Sequence, residues 1–275
     1  MMKLTKTTID QLIVCDQVFH NWGRIVGTIG ELFVPPKPDD SHTNFFYNHN
    51  TKQIEGRQFE TPNGNLFIAF DVVENAFHFY SVASGKIKVT IEATQNYFHI
   101  ISGIQKVLVA NGIASSSCPE VVEFRFPQHF DEDGISKSID SKSKTMWMQL
   151  RDGANRILSE ITQELTIESE IRIWKTNFDT GIFHNDNKGL NQWAGLASAD
   201  DEVIDVPYFY NSMVYKSAVV KPIDLKPLKN GYWEHINWNG AVLPITEFNT
   251  IEDYLTIAKP FLLESTKGLL NKLKQ

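Results

Sequence analysis

Three short apolar runs, at residues 66–73, 76–82 and 86–91, are separated by breaks of two and three residues that hold the turn pairs Glu74-Asn75 and Ser84-Gly85. Connections that short join antiparallel neighbours, because a parallel crossover needs a dozen or more residues. In the second run Phe77 and Phe79 alternate with His78 and Tyr80, and in the third Ile87, Val89 and Ile91 alternate with Lys86, Lys88 and Thr90. A period of two predicts an antiparallel meander with one face buried and the other wet.

The rest of the chain is organised around that meander. Ile9, Leu12, Ile13, Val18, Trp22, Ile25, Val26 and Ile29 recur at near-helical spacing, with Thr8 placed to cap the first free amides. Gly23 and Gly27 weaken this helix but let another element approach closely. Pro35, Pro36 and Pro38 end it, and residues 37–65 read as a long polar link. After the meander, Thr94 opens a second helix that Asn111-Gly112 stops. Residues 121–126 read as a strand ended by Pro127, and 130–134 as a turn. A long helix from about Ser141 to Leu165 carries Met146, Trp147, Leu150, Ile157, Leu158, Ile161 and Leu165 on one stripe. Residues 171–184 follow as an extended segment crossing a core, then a loop at 185–205. A strand at 208–220 precedes a hairpin at 232–244 built on Asn239-Gly240. Thr250 starts the last helix, where Pro260 either kinks the chain or begins a further helix.

This order predicts an α+β fold: a mostly antiparallel sheet with several long amphipathic helices. The 275 residues suit a single compact domain over 1–275. Its pseudo-repeat halves would be 1–135 and 136–275, hinted at by Tyr97-Phe98-x-Ile100 against Tyr254-Leu255-x-Ile257. Strands and helices do not alternate as βαβ units, and neither G-x-G-x-x-G nor G-x-x-x-x-G-K-[ST] occurs. A doubly wound nucleotide fold is therefore not expected.

The net charge of −7 argues against a nucleic-acid binder or a polybasic membrane anchor, both of which need basic surface. No apolar run approaches the roughly 18 residues that span a bilayer. Asp10 and Asp16 interrupt what a signal peptide would keep apolar. With only Cys15 and Cys118 and no spaced metal cluster, the expectation is a soluble cytoplasmic protein with reduced thiols.

Several marks, taken in order, resemble a family of uncharacterised bacterial proteins that share a domain of unknown function. Trp22 and Ile25-Val26-Gly27 match its helix motif Q-I-V-G-K. Asn44-Phe45-Phe46, Phe70-Asp71-Val72, Phe130-Asp131-Glu132-Asp133, Trp174 with Phe178-Asp179, and Leu243-Pro244 stand where the family has N-H-W-W, F-D-F-x-D-H, F-D-x-D, F-W-G-x-F-D and L-P-Y. The order agrees from about residue 20 to the end. Arg24 and Thr28 replace the family's glutamine and lysine, Trp174 is one residue too far from Phe178, and the histidine after F-D-x-D has no counterpart. The resemblance implies kinship of fold and no particular reaction.

Candidate chemistry concentrates at the ends of 171–184. Asp179-Thr180-Gly181 is the string of an aspartic protease, but no second D-[TS]-G occurs to complete a dyad. A capping aspartate in a tight turn is the plainer reading. Asp131-Glu132-Asp133-Gly134 resembles the start of a calcium loop, yet the twelfth position is Lys142 where a bidentate acid is required. His184 and Asp186, with His20 or His235, lack the fixed spacing of a metal motif, so no metal site is assigned. No cofactor can be named.

Asp179 and His184 remain the catalytic candidates. Phe46, Tyr47, Trp174, Trp233, His235 and Trp238 are the ligand-binding candidates, expected to line one loop-built aromatic, His and Asp pocket. The favoured reading is a small-molecule-binding protein or enzyme. The alternative is a non-catalytic interaction module that uses exposed aromatics and the acids at 200–205 against a protein partner, with a homodimer also open.

Overall fold

The structure, a computed structural model, describes residues 3–93, 96–119 and 137–274. Thr94, the strand expected at 121–126, Pro127 and the turn at 130–134 with its F-D-x-D match lie outside the described residues. The fold is α+β, with four α-helices and two antiparallel sheets among the described residues. No helix among the described residues is long and apolar enough to cross a membrane.

The chain divides into two compact units. One comprises Val14–Lys144 and Ile173–Phe178, the other Met1–Ile13, Thr145–Arg172 and Asp179–Gln275.

The first unit holds most of helix α1 (Lys6–Phe33), helix α2 (Tyr97–Ala110) and a five-stranded sheet. The sheet runs in chain order through β1 (Phe46–Asn48), β2 (Gln53–Glu55), β3 (Leu66–Asp71), β4 (Ala76–Ser81) and β5 (Ile87–Glu92). The expected meander is β3–β4–β5. The polar link before it is not wholly irregular, since β1 and β2 pair Phe46 with Glu55 and extend the sheet. Trp22 of α1 packs 6.1 Å from Phe70 and edge-on at 5.9 Å from Phe77, which fixes the helix on the sheet. Burying each such ring contributes about 1.5–3 kcal/mol. Gly23 makes the approach possible, because a Cβ there would stand 2.8 Å from the Phe45 ring.

The wet face of the meander is only partly wet. His78 is 2% exposed, so β4 is buried on both sides along its first half. Conversely, Ile87 and Val89 are exposed, because β5 is the edge strand and α2 reaches it through Gly103 against Ile91. Helix α2 is capped by the Asn96 side chain, which accepts from the His99 amide. It stops at Gly112, whose φ of +90° suits glycine.

The second unit holds most of helix α3 (Ser141–Leu165), helix α4 (Tyr254–Lys272) and the body of the seven-stranded sheet. Its strands are β6 (Arg172–Ile173), β7 (Thr180–Asn185), β8 (Leu190–Ala197), β9 (Tyr208–Tyr215), β10 (Ala218–Val219), β11 (Tyr232–Glu234) and β12 (Gly240–Pro244). The order is β11-β12-β9-β8-β7-β6, with β10 beside β9. The start of α1 also belongs here. Its cap is Thr5 rather than Thr8: each hydroxyl accepts from the other's backbone amide, a reciprocal capping pair.

Four expectations are corrected. The segment 171–184 is not one extended run, because a turn at 174–178 with Phe178 at φ +56° separates β6 from β7. The supposed loop after it contains β8. The 232–244 hairpin turns at 235–239, where Glu234 accepts the amides of His235, Ile236 and Asn237, and Gly240 is already strand. Helix α4 runs unbroken through Pro260.

Candidate functional site

Alternation along the central strands gives the seven-stranded sheet two distinct faces. One face meets α4. There Gln192 Nε2 donates to Asn211 Oδ1 and Thr266 Oγ1, and Asn211 Nδ2 donates to Ser265 Oγ and Thr266 Oγ1, all within 3.0 Å. The opposite face is aromatic. Ala197, Tyr208, Tyr210 and Val242 form its buried centre, with Trp193, Trp238, Val203 and Ile204 packed around them. Phe183 stands 5.0 Å from Trp193 on the same side.

The candidate site lies on the aromatic face, where β7, β8 and β9 place Gly181, Gly195 and Tyr210 in one row. Two glycines in line leave the sheet bare beneath the Tyr210 ring. The ring lies across them, and its hydroxyl donates to Asp179 Oδ2, just before β7 begins. A Cβ at Gly181 would stand 2.9 Å from that hydroxyl, so the floor must be side-chain-free. Trp238 sits over Gly240 and packs edge-on to Tyr210 at 6.3 Å. A second pair runs alongside: the Tyr208 hydroxyl donates to Asp200 Oδ2 at 2.6 Å, and the two tyrosine rings are 6.4 Å apart.

Burial pushes the Asp179 carboxyl up to about 6, against the pull of the Tyr210 hydroxyl and the Arg151 charge. Burial also raises Tyr210, and the Asp179 charge adds to it. Tyr208 moves the same way through burial and its bond to Asp200. Arg151, 1% exposed on α3, donates from Nη1 to Thr180 Oγ1 at 2.8 Å and lies 5.2 Å over the Trp147 ring. Asp179 is therefore a carboxyl that exchanges its proton near neutral pH while held by a neutral phenol. Such a group can act as general acid or base if substrate reaches it.

Of the residues singled out from the sequence, Asp179 and Trp238 come together through Tyr210. His184 belongs to β7 but lies opposite Gln192, on the α4 face. Trp233 packs against Gly268 of α4 and donates to the Lys226 carbonyl oxygen. His235 is exposed in the β11–β12 turn. Phe46, Tyr47 and Trp174 lie in the other compact unit, where Tyr47 is fully buried.

Arg151, Gly181 and Gly195 did not stand out as site residues, and Tyr210 did so only as one of the aromatic set Tyr208-Phe209-Tyr210. Arg151 carried a readable signal: it interrupts the apolar helical line Trp147–Ala154–Leu158 with a cation. The glycines carried none, since their role depends on strand register.

No protein-family model matches this chain, and comparisons with curated proteins and with solved structures likewise found no match.

Proposed function

We propose that the protein binds a small molecule on the aromatic face of the seven-stranded sheet, with Asp179 as the proton-exchanging anchor. The carrying observation is the buried Asp179 carboxyl, poised at about 6, which accepts from Tyr210 beside Trp238. An aromatic surround favours a flat apolar body, and a carboxylate favours a ligand donor or cation on that body. If the protein is an enzyme, Asp179 is its general acid–base, with Tyr210 and Arg151 orienting it. His184 is not part of this reading, because it lies on the opposite face of the sheet from Tyr210.

The test is a thermal-shift and tryptophan-fluorescence screen of flat donor-bearing compounds such as adenine, nicotinamide, indole and benzamidine. At least one is expected to raise the unfolding midpoint of the wild type and to lose that effect in Asp179→Asn and Trp238→Ala. A panel without hits, or hits that survive both substitutions, removes the proposal.

A cytoplasmic setting belongs to the same reading, supported by two free, buried cysteines. Kinship with the bacterial domain family rests on the order of its motifs.

A further inference from the structure

Asp71, Glu74 and His78 bring three potential ligand atoms within 4.8 Å of one another where β3 turns into β4. Asp71 closes β3, Glu74 lies in the turn, and His78 follows on β4. Asp71 Oδ1 accepts the amides of Val73 and Glu74 at 2.9 and 2.8 Å, which anchors the carboxyl at the turn. Gln53 Nε2 steadies Oδ2 from β2 at 3.0 Å. His78 Nδ1 and Thr90 Oγ1 on β5 are 2.9 Å apart, and His78 Nε2 stands 3.3 Å from Glu74 Oε2.

We propose that these three residues bind a divalent first-row transition cation of the zinc class. Zinc takes carboxylate oxygen and imidazole nitrogen at about 2.0–2.2 Å, so its ligand atoms stand roughly 3–4 Å apart. The observed set needs to contract by less than about 1 Å to reach that spacing. Two features separate it from an ordinary acidic turn. The imidazole is 2% exposed and held from behind by Thr90, the second contact that orients a metal-binding histidine. The donors also combine one nitrogen with two carboxylates, a set that suits zinc better than calcium or magnesium, which take oxygen alone.

Lys144 lies within electrostatic reach of Asp71. With it counted, the two carboxylates still leave net negative charge to attract a cation. The Glu74 side chain is 66% exposed, so the site opens to water on that side and a cation can enter. Through Gln53 and Thr90, a bound cation would tie the β3–β4 turn to β2 and β5.

The experiment is calorimetric titration of chelator-treated protein with zinc, together with the visible spectrum of the cobalt-loaded form. One cation per chain is expected, with a cobalt d–d band and a raised unfolding midpoint. Glu74→Gln and His78→Asn should each weaken binding at least tenfold, in line with loss of a direct ligand. Glu74 is exposed, so its variant should fold, and Asp179→Asn should bind as the wild type does. Absence of saturable binding would leave Glu74 and His78 as a plain ion pair and overturn the proposal. So would binding that survives both substitutions, since other histidines would then hold the cation.

Discussion

Gly195 lies against Thr180 so closely that a Cβ on it would run into the Thr180 carbonyl oxygen and stand 2.7 Å from the Gly181 Cα. Both obstacles are backbone, which cannot swing aside as a side chain can. The bare floor beneath Tyr210 is therefore built into the pairing of β7 with β8. Gly195→Ala is expected to cost about 1–3 kcal/mol, the range for forced overpacking. Gly181→Ala should cost less, because the Tyr210 hydroxyl can shift. Urea denaturation of both variants checks the order. A Gly195→Ala protein within 0.5 kcal/mol of wild type, the ordinary scatter of harmless substitutions, would refute the close contact.

Asp179 makes stability depend on pH in an unusual direction for an acid. Its folded value of about 6 lies above its ordinary 3.8. Between those values the folded chain holds a proton that the unfolded chain has released, so stability falls as pH rises. The contribution is fully present below about 3.8 and lost as pH passes 6. A gap of about two units corresponds to something on the order of 3 kcal/mol. Asp179→Asn should flatten the stability profile between pH 4 and 7. Tyr210→Phe removes a hydrogen bond to the carboxylate and should move the Asp179 titration higher still, as should Arg151→Met by removing a positive charge. Carbon-13 NMR of the carboxyl would read both shifts, and a downward move in either would contradict the assignment.

Asn211 is fully buried and donates to both Ser265 and Thr266, while Gln192 donates to its Oδ1. Asn211→Ala strips partners from several buried groups at once and should cost more than 2 kcal/mol. A double-mutant cycle with Thr266→Val should show a coupling of about 0.5–3 kcal/mol. Additive effects would mean that the network is not shared between β9 and α4.

Cys15 sits in α1, fully buried, with its thiol pushed up to about 12 by burial first and then by Asp16 and Asp140. A thiol reagent at pH 8 should label it only as fast as the protein unfolds. Rapid labelling in native buffer would show that α1 opens around it. The thiolate is the reacting form, and burial suppresses it.

The elements visible in the sequence are those whose evidence is local. Helix α3 matches its periodic stripe, and the β3–β4–β5 meander follows from alternation and short turn-prone breaks. The stop at Gly112 follows from a backbone angle that glycine adopts freely. Strand β8 was hidden because its Asn191, Gln192 and Gly195 read as loop residues. Gln192 is tolerable there because Asn211 and Thr266 satisfy it, and Gly195 is required because the Thr180 carbonyl and the Gly181 Cα on β7 occupy the space a side chain would need. Asp179 could be picked out as chemically interesting, but its partner lies 31 residues away. Periodicity records which face of an element is apolar. Which residue of one strand stands opposite which residue of another is set by register, and it was register that joined Asp179 to Tyr210 and Trp238 while turning His184 to the other side of the sheet.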